Sequence, residues 1–350
     1  MRLLITTQSL DKNDPVLAFF HRWVEEFARH AERVTVICLT EGTHSLPPNV
    51  RVLTLGKEAR ASRAQYLSRL FTYAWRERNN YDTVFVHMNP EYLVLLGWFW
   101  RLTGKTTALW YTHREVNIKL RVATFFANVV FSASPFSFRI TTAKARFVGH
   151  GVELTEWTPN ALALRDDANP AIITVGRITP IKNCSTFVEA ARMLREKGIP
   201  AQFVLVGGAH TETDKAYEKE IRAQIERSGL SGNVVITGMV SPIKVKEWYQ
   251  KASLAVNLTP PGGLDKVVIE AAAAGVPTIT SNIAFTEYFK EFADNLVFPL
   301  NDAPVLSAKI ESFLKNPDRR SIRAYLCQMA QQEFSVEGVV GKIIEGIESN

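Results

Sequence analysis

Cysteine is scarce in this 350-residue chain, and Cys38, Cys184 and Cys327 are scattered with no CxxC pair and no Cys/His ligand spacing. That argues against a disulfide framework and a structural zinc site, and it points to a reducing, cytoplasmic setting. Long apolar runs are missing as well. The longest, YLVLLGWFW at 92–100, is far short of the roughly 20 residues a membrane-spanning helix needs. The start MRLLITTQSL has no long apolar stretch leading to a small-residue cleavage site, so it reads as a first strand and not as a signal peptide. No DxD pair, HxxxH, GxSxG, GxxxxGK[ST] or GxGxxG occurs. The commonest hydrolase, nucleotide-triphosphatase and dinucleotide-dependent classes lose their signatures, and nothing calls for a metal. Repeats of 20 to 50 residues and low-complexity tracts are absent too.

What is present is ordinary globular composition, 46% hydrophobic and 22% charged, at a length that suggests two domains. The net charge of +6 is unevenly placed: residues 1–160 carry 20 Lys and Arg against 13 Asp and Glu, and residues 161–350 carry 21 against 22. A one-sided excess suits an anionic partner, lipid phosphate or nucleic acid; solvated surface arginine is the plain alternative.

Short β-branched runs alternate with segments of helical period. RLLITT, RVTVICL, RVLTL, DTVFVH, TTALWYTH and NVVFSAS read as strands in the first half; AIITVG, AQFVLVGG, NVVITG, LAVNL and PTITS do so in the second. In DPVLAFFHRWVEEFARH, Leu17, Phe20, Val24 and Phe27 share one helical face, with Asp14 expected as N-cap and Pro15 as first helical residue. LTEWTPNALALRDDANP breaks the pattern and marks a linker. The expectation is an α/β chain of two tandem doubly wound parallel-sheet domains, 1–157 and 158–334, with a cleft between them and a last helix at about 335–350 returning to the first. Ligands of such sheets bind beyond the carboxyl ends of the strands.

One loop there is TPPGGLDKVVIEAAAAGVP, residues 259–277. Gly262 and Gly263 let the backbone approach a ligand, Asp265 is expected to cap a helix over 266–274, and Lys266 opens it. Its free N–H groups and positive dipole end suit a phosphate. Glu270 is a lone acid on an otherwise Val, Ile and Ala helix expected to be buried. It needs either a structural cation or hydroxyls of a ligand. A second loop, VGRITPIKN, brings Arg177 and Lys182 to a strand end, an anion clamp if the two loops meet and two surface charges if they do not. Gly207, Gly208 and Gly238 follow two further strands, where backbone groups would contact a base or ribose. In LWYTHREVN, His113 is expected at the strand end, either as a structural histidine or as a donor to a substrate hydroxyl. Asn13 and Asp14 lie in the loop before the first helix.

Taken in order, VGRITPIKNCSTFVEAARML, FVLVGG, VVITGMVS and LAVNLTPPGGLDKVVIEAAAAGVPTITSN resemble the C-terminal domain of family-4 retaining glycosyltransferases, the glycosyl transferases group 1, with the GT-B fold. ARFVGHGVELTEWTP resembles the family's interdomain segment, and WYTHREVN its strand with a cleft histidine. The resemblance implies a metal-independent enzyme with no cofactor, moving a sugar from a nucleotide-diphosphate-sugar to a hydroxyl acceptor with retention. Arg177 and Lys182 would hold the diphosphate, Glu270 the ribose hydroxyls, the Gly238 loop the base, and His113 would sit near the transferred sugar. The chain departs from the family at Gly262, where a Glu that contacts the donor sugar is usual; Asp265 or Lys266 would take over such contacts.

The basic first half would then serve the acceptor, lipid-linked or a polysaccharide precursor, with nucleic acid not among its partners. ARASRAQYLSRLFTYAWRER and NIKLRVATFFANVVF mix cations with aromatic residues and read either as crossover helices or as a peripheral contact with an anionic membrane at its inner face. Two other readings remain open: a nucleotide-sugar-binding protein that transfers nothing, and a sugar-nucleotide epimerase of the same fold.

Overall fold

The β-branched runs become strands and the helical-period segments cross over between them. The computed structural model describes residues 1–14, 17–113, 115–155, 157 and 169–349. It divides into two units, Met1–Glu153 with Glu333–Asn350, and Leu154–Gln332.

The first unit alternates β1 (Arg2–Leu10), α1 (Ala18–His30), β2 (Arg33–Glu41), β3 (Val50–Thr54), α2 (Arg63–Arg76), β4 (Thr83–His87), α3 (Glu91–Leu102), β5 (Thr106–Trp110), α4 (Ile118–Phe126), β6 (Val129–Ser132) and β7 (Ala145–Phe147). Its seven strands are all parallel in the order β3-β2-β1-β4-β5-β6-β7, with Leu3 opposite Val34 on one side and Thr83 on the other. The second unit contains β8 (Ala171–Val175), α5 (Cys184–Glu196), β9 (Gln202–Val206), α6 (Glu212–Arg227), β10 (Val234–Ile236), α7 (Pro242–Lys251), β11 (Leu254–Asn257), α8 (Lys266–Ala273), β12 (Thr278–Thr280), the short α9 (Thr286–Phe289) and α10 (Ala293–Leu296), and α11 (Ala303–Lys315). Its parallel order is β10-β9-β8-β11-β12. Two helices follow, α12 (Arg319–Phe334) and α13 (Val336–Glu348). Among the described residues no helix is long and apolar enough to cross a membrane.

Both sheets reverse direction beside their first strand, β1 with β4 and β8 with β11, and such a switch point opens a crevice at the carboxyl edge. The cores lie between sheet and helices. In the first unit Trp23 meets Trp110 at 4.9 Å between ring centroids, and Phe27 meets Phe85 at 4.9 Å. Arg22 of α1 pairs with Glu153 at 2.6 Å and with Glu337 of α13 at 2.5 Å, so the last helix belongs to this unit's packing. In the second, Ile173, Val204 and Val206 pack with Tyr249, Ala271 and Val276.

The described part of α1 opens at Ala18, with the Asp14 carboxylate accepting the Leu17 amide at 2.8 Å; the expected first helical residue, Pro15, lies outside the described residues. Two local expectations are corrected. Strand β5 stops at Trp110, leaving His113 in the loop beyond it. Residues Ala145–Phe147, read within an interdomain segment, form the edge strand β7.

Candidate functional site

The carboxyl edge of the second sheet gathers charge. Because β8 and β11 are neighbours, the loop after β8 and the loop after β11 open side by side. From the first comes Lys182, at the end of a short 3-10 turn, Pro180–Lys182. Its stem lies across Gly176, where an added Cβ would stand 3.3 Å from Lys182 Cε and where φ is +140°. From the second comes Asp265. Lys182 Nζ donates to Asp265 Oδ2 at 2.8 Å and to Thr259 Oγ1 at 3.3 Å. The same carboxylate oxygen accepts Thr259 Oγ1 at 2.7 Å and Asn257 Nδ2 at 3.0 Å. Burial alone would raise the Asp265 carboxyl; the Lys182 charge and these hydrogen bonds outweigh it and hold its pKa below the ordinary value.

This network reaches into β12. Thr280 Oγ1 donates to Asn257 Oδ1 at 2.8 Å, Ser281 Oγ to the Thr259 carbonyl at 3.1 Å, and Asn282 Nδ2 to the Gly263 carbonyl at 2.7 Å. Asn257, Thr280, Ser281 and Asn282 are buried, so the glycine turn is pinned from below. Reading the sequence missed these four. The signal was there, since polar residues close the otherwise apolar runs LAVN and TITSN at the strand ends where a site would form.

Asp265 is the N-cap residue of α8, yet its side chain makes no capping bond, which corrects the expected role: the carboxylate has turned to Lys182. The Asp265 side chain thus does not cap α8, and the Val268 amide is taken by the Asp265 carbonyl at 3.1 Å; a helix start carries the positive end of the dipole, which favours an anion. Nor is α8 buried all round. Val268, Ile269, Ala271, Ala272 and Ala273 are buried, whereas Lys266, Val267 and Glu270 are only partly so. Lys266 and Glu270, one turn apart, share this half-open side. Burial raises the Glu270 pKa to about 7, opposed by Lys266, Lys182 and Lys246 and reinforced by Asp265. Burial lowers Lys266, opposed by Glu270. No hydrogen bond from a described residue reaches the Glu270 carboxylate. Tyr249 donates to the Val267 carbonyl at 3.0 Å, and burial, with Glu270 and Asp265 nearby, keeps its phenol protonated.

Arg177 is exposed and lines, with Gly176, Lys182 and Cys184, one small recess after β8. The structure therefore brings Arg177, Lys182, Asp265, Lys266 and Glu270 to one sheet edge, with Gly262 and Gly263 in the turn between. The glycines after β9 and β10 also have a structural part. A Cβ on Gly207 would stand 2.0 Å from the Gly176 carbonyl oxygen, and one on Gly208 2.8 Å from the Met239 amide. Gly207 and Gly238 form an isolated bridge, so two of these glycines let loops of the same sheet edge cross closely. Gly238 has φ +73° with open space around its Cα.

In the first unit, His113 is exposed and its Nδ1 accepts the Glu115 amide at 3.1 Å, which places the proton of the neutral ring on Nε2. The Asn13 amide donates to Asp11 at 2.9 Å in the turn where Asp14 holds Leu17. Reading the sequence also passed over His87, the last residue of β4. It stacks on Phe20 at 3.8 Å and meets Thr7 Oγ1 through Nδ1 at 3.1 Å. Burial lowers its pKa to about 3, so it is neutral.

Comparison with known proteins adds to this geometry. The family described as "Glycosyl transferases group 1" matches residues 161–327. A putative colanic acid biosynthesis glycosyltransferase, WcaL of Escherichia coli (strain K12), is 26% identical over 171 residues, 47% of this chain and 40% of that protein. A GDP-mannose-dependent alpha-(1-6)-phosphatidylinositol monomannoside mannosyltransferase of Mycobacterium tuberculosis is 27% identical over 154 residues, 40% of this chain and 38% of that protein. The chain thus spans less than half the length of these curated relatives. Among solved structures, Anabaena Alr3699/HepE in complex with UDP aligns over 100% of both chains with a TM-score of 0.76 at 17% identity. The apo form of a lipopolysaccharide outer core galactosyltransferase, WaaB, aligns over 100% and 99% with a TM-score of 0.71 at 11% identity. At such identities the likeness is one of fold, GT-B over the full length.

Proposed function

From its membership, through residues 161–327, in the glycosyl transferases group 1 family, we propose that this chain is a retaining glycosyltransferase, moving a hexose from a nucleotide-diphosphate-sugar to a hydroxyl acceptor. The observation that carries the reading is the junction of Lys182 with the uncapped start of α8, 2.8 Å from Asp265, on the helix that bears Glu270. Two cations and a helix dipole end at one sheet edge match a diphosphate.

In this mechanism the bond between the anomeric carbon and the diphosphate oxygen breaks, and its electron pair leaves with the diphosphate. Arg177, Lys182 and the first amides of α8 neutralise that charge as it grows, and being already in place they need no reorganisation. The acceptor hydroxyl attacks on the face the diphosphate leaves and gives up its proton to the departing phosphate oxygen. Glu270, in its ionised form, accepts the two ribose hydroxyls, its ligand partners. Lys266 sits at the phosphate side of the same turn. His113, with its proton on Nε2, donates to a hydroxyl of the transferred sugar, and the loop at Gly208 and Gly238 lies against the base. Residues 1–157, with Asn13 and Asp14 in the acceptor loop, take the acceptor; residues 158–334 take the donor.

The charge a divalent ion would supply comes here from side chains, so EDTA is expected to leave turnover unchanged. HepE is a UDP and UDP-glucose complex, and the mycobacterial relative uses GDP-mannose, so UDP- and GDP-sugars are the first donors to try. A native-state ligand raises apparent stability with its concentration. The test is a thermal-shift screen of UDP-, GDP- and ADP-sugars, followed by release of nucleotide diphosphate with and without acceptor. Absence of any shift and any release would sink the reading. Gly262, which lacks the family's sugar-contacting carboxylate, favours a second reading, binding without transfer; a shift without release identifies it. The proposed setting is the cytoplasmic face of a membrane, reached by peripheral contact.

A further inference from the structure

The first unit has a cavity of about 390 Å³ at the amino edge of its sheet, between the ends of α3 and α4. That volume is within the range of small-molecule sites. Ligands of such sheets bind at the carboxyl edge, so a guest here is neither donor nor acceptor of the transfer proposed above. Three cations line the cavity and no carboxylate does: Arg101 from the last turn of α3, Lys105 just before β5, and Lys144 just before β7. Phe125 and Phe126, at the end of α4, form an aromatic wall. Phe125 is 62% exposed, with the Arg101 guanidinium carbon 5.3 Å from its ring centroid.

Two helix C-termini would ordinarily make such a place rich in acceptors and hostile to an anion. Here those acceptors are already taken. At the end of α3 the Phe99, Trp100 and Arg101 carbonyls accept the amides of Thr103, Lys105 and Gly104. At the end of α4, Lys144 Nζ donates to the Thr124, Phe125 and Ala127 carbonyls at 3.1, 3.0 and 2.7 Å, and Thr107 Oγ1 to that of Phe126 at 3.0 Å. Donors, by contrast, are left over. The Arg101 guanidinium makes no hydrogen bond or ion pair with a described residue, only its contact with the Phe125 ring. Asn128 accepts the Thr107 amide and hydroxyl through Oδ1 at 2.9 and 2.8 Å, which leaves its Nδ2 without a described partner. Lys105 Nζ, over the Tyr81 ring at 5.0 Å, gives two of its N–H groups to the Arg78 and Tyr81 carbonyls, both at 2.7 Å, and keeps one. Charge is unbalanced as well. Burial and the neighbouring Arg101 lower the Lys144 pKa. Burial, with Arg2, lowers Lys105; Asp82 opposes this, but it is itself paired with Arg2 at 3.3 Å. Closed acceptors, open donors and a surplus of cations fit a guest whose head is all acceptor and doubly charged, and the ring face beside them fits an apolar group attached to that head.

We propose that this cavity binds a soluble phosphate monoester, its phosphate held by Arg101, Lys105 and Asn128 and its ester group against Phe125. Lys144 adds charge without a spare donor. The head of an anionic lipid has the same chemistry, and vesicles tested beside a soluble ester separate the two sources.

The test is calorimetry on the full chain with phenyl phosphate, beside inorganic phosphate and benzyl alcohol. Phenyl phosphate is expected to bind more tightly than benzyl alcohol by about tenfold or more, and more tightly than inorganic phosphate, which lacks the ring. Arg101→Glu, on an exposed side chain, is expected to weaken phenyl phosphate by about tenfold or more. Asn128→Asp keeps the oxygen that Thr107 uses and exchanges the free amide for a negative oxygen; a loss of about fivefold or more is expected. Lys182→Ala, which alters the charged edge of the second sheet, is expected to leave the affinity as it is. Binding that persists in both first-unit variants, or that Lys182→Ala removes, belongs elsewhere and overturns the proposal. So does benzyl alcohol binding as tightly as phenyl phosphate, which would leave the cations no part, and so does an absence of phenyl phosphate binding. A chain that gathers on phosphatidic acid vesicles while ignoring phenyl phosphate takes a lipid head instead, and that result overturns it too.

Discussion

Two helix starts in the second unit are treated in opposite ways. At α6, Thr211 accepts the Asp214 amide while the Asp214 carboxylate accepts the Thr211 amide, a reciprocal box that satisfies both donors. At α8 the N-cap is an acid, Asp265, and would serve as well, yet its carboxylate is given to Lys182, Thr259 and Asn257. The first start is closed by its own cap side chain and the second is not. Where a cap residue has the right chemistry and does not cap, its side chain has been recruited elsewhere, and that helix start is the place to look for a ligand.

That contrast can be broken most decisively at Lys182. Lys182→Ala removes a cation and leaves Asp265 buried without its counter-charge; loss of turnover by about a hundredfold or more is expected, with a fall in stability of about 2–3 kcal/mol. Adding Asp265→Asn to that variant is expected to restore much of the stability in urea titration and none of the turnover. If turnover returned, Lys182 would be serving the fold alone.

Glu270 gives the next largest effect, read through pH. Its folded pKa, about 7, stands above the ordinary 4.5, so its native-state stability is fully present below 4.5 and is lost as pH rises to about 7. Glu270→Gln is therefore expected to match the unsubstituted chain near pH 4 and to exceed it by about 2–3 kcal/mol at pH 8. Nucleotide binding moves the other way, strengthening in the unsubstituted chain as Glu270 ionises and showing no such step in the glutamine variant. A stability difference independent of pH would remove the titration from Glu270. Asp265 titrates in the opposite sense, its contribution being lost only as pH falls below its ordinary 3.8.

The smallest effect sharpens the comparison from its closed side. Thr211→Ala is expected to cost about 1 kcal/mol in thermal or urea unfolding. The nucleotide response should not change with it. A changed affinity would mean that the two helix starts do not divide stability and binding as described.

Much of this was legible in the sequence, for reasons that can be named. Runs such as RLLITT and RVTVICL are buried on both faces of a parallel sheet, so they are apolar throughout and stand out. Glu270 was conspicuous because an acid among Val, Ile and Ala has no business in a core. Edge strand β7 was not seen because its three residues, Ala145–Phe147, include an arginine and have only one neighbour to pair with. The Lys182–Asp265 pair was out of reach. Its partners are 83 residues apart, and only the adjacency of β8 and β11, which no local pattern encodes, brings them together. Without that adjacency Asp265 defaults to the local role its position suggests.

The Lys182–Asp265 pair also governs how an anion would arrive. A cation already matched by a carboxylate at 2.8 Å projects the field of a dipole, which fades within a few ångströms, well inside the screening length of about 8 Å at physiological salt. With Lys182 matched in this way, capture should be governed by short-range exchange, the phosphate taking over part of what Asp265 holds. Association rates measured across ionic strength should accordingly vary only gently, unlike those of a pocket lined with bare charges.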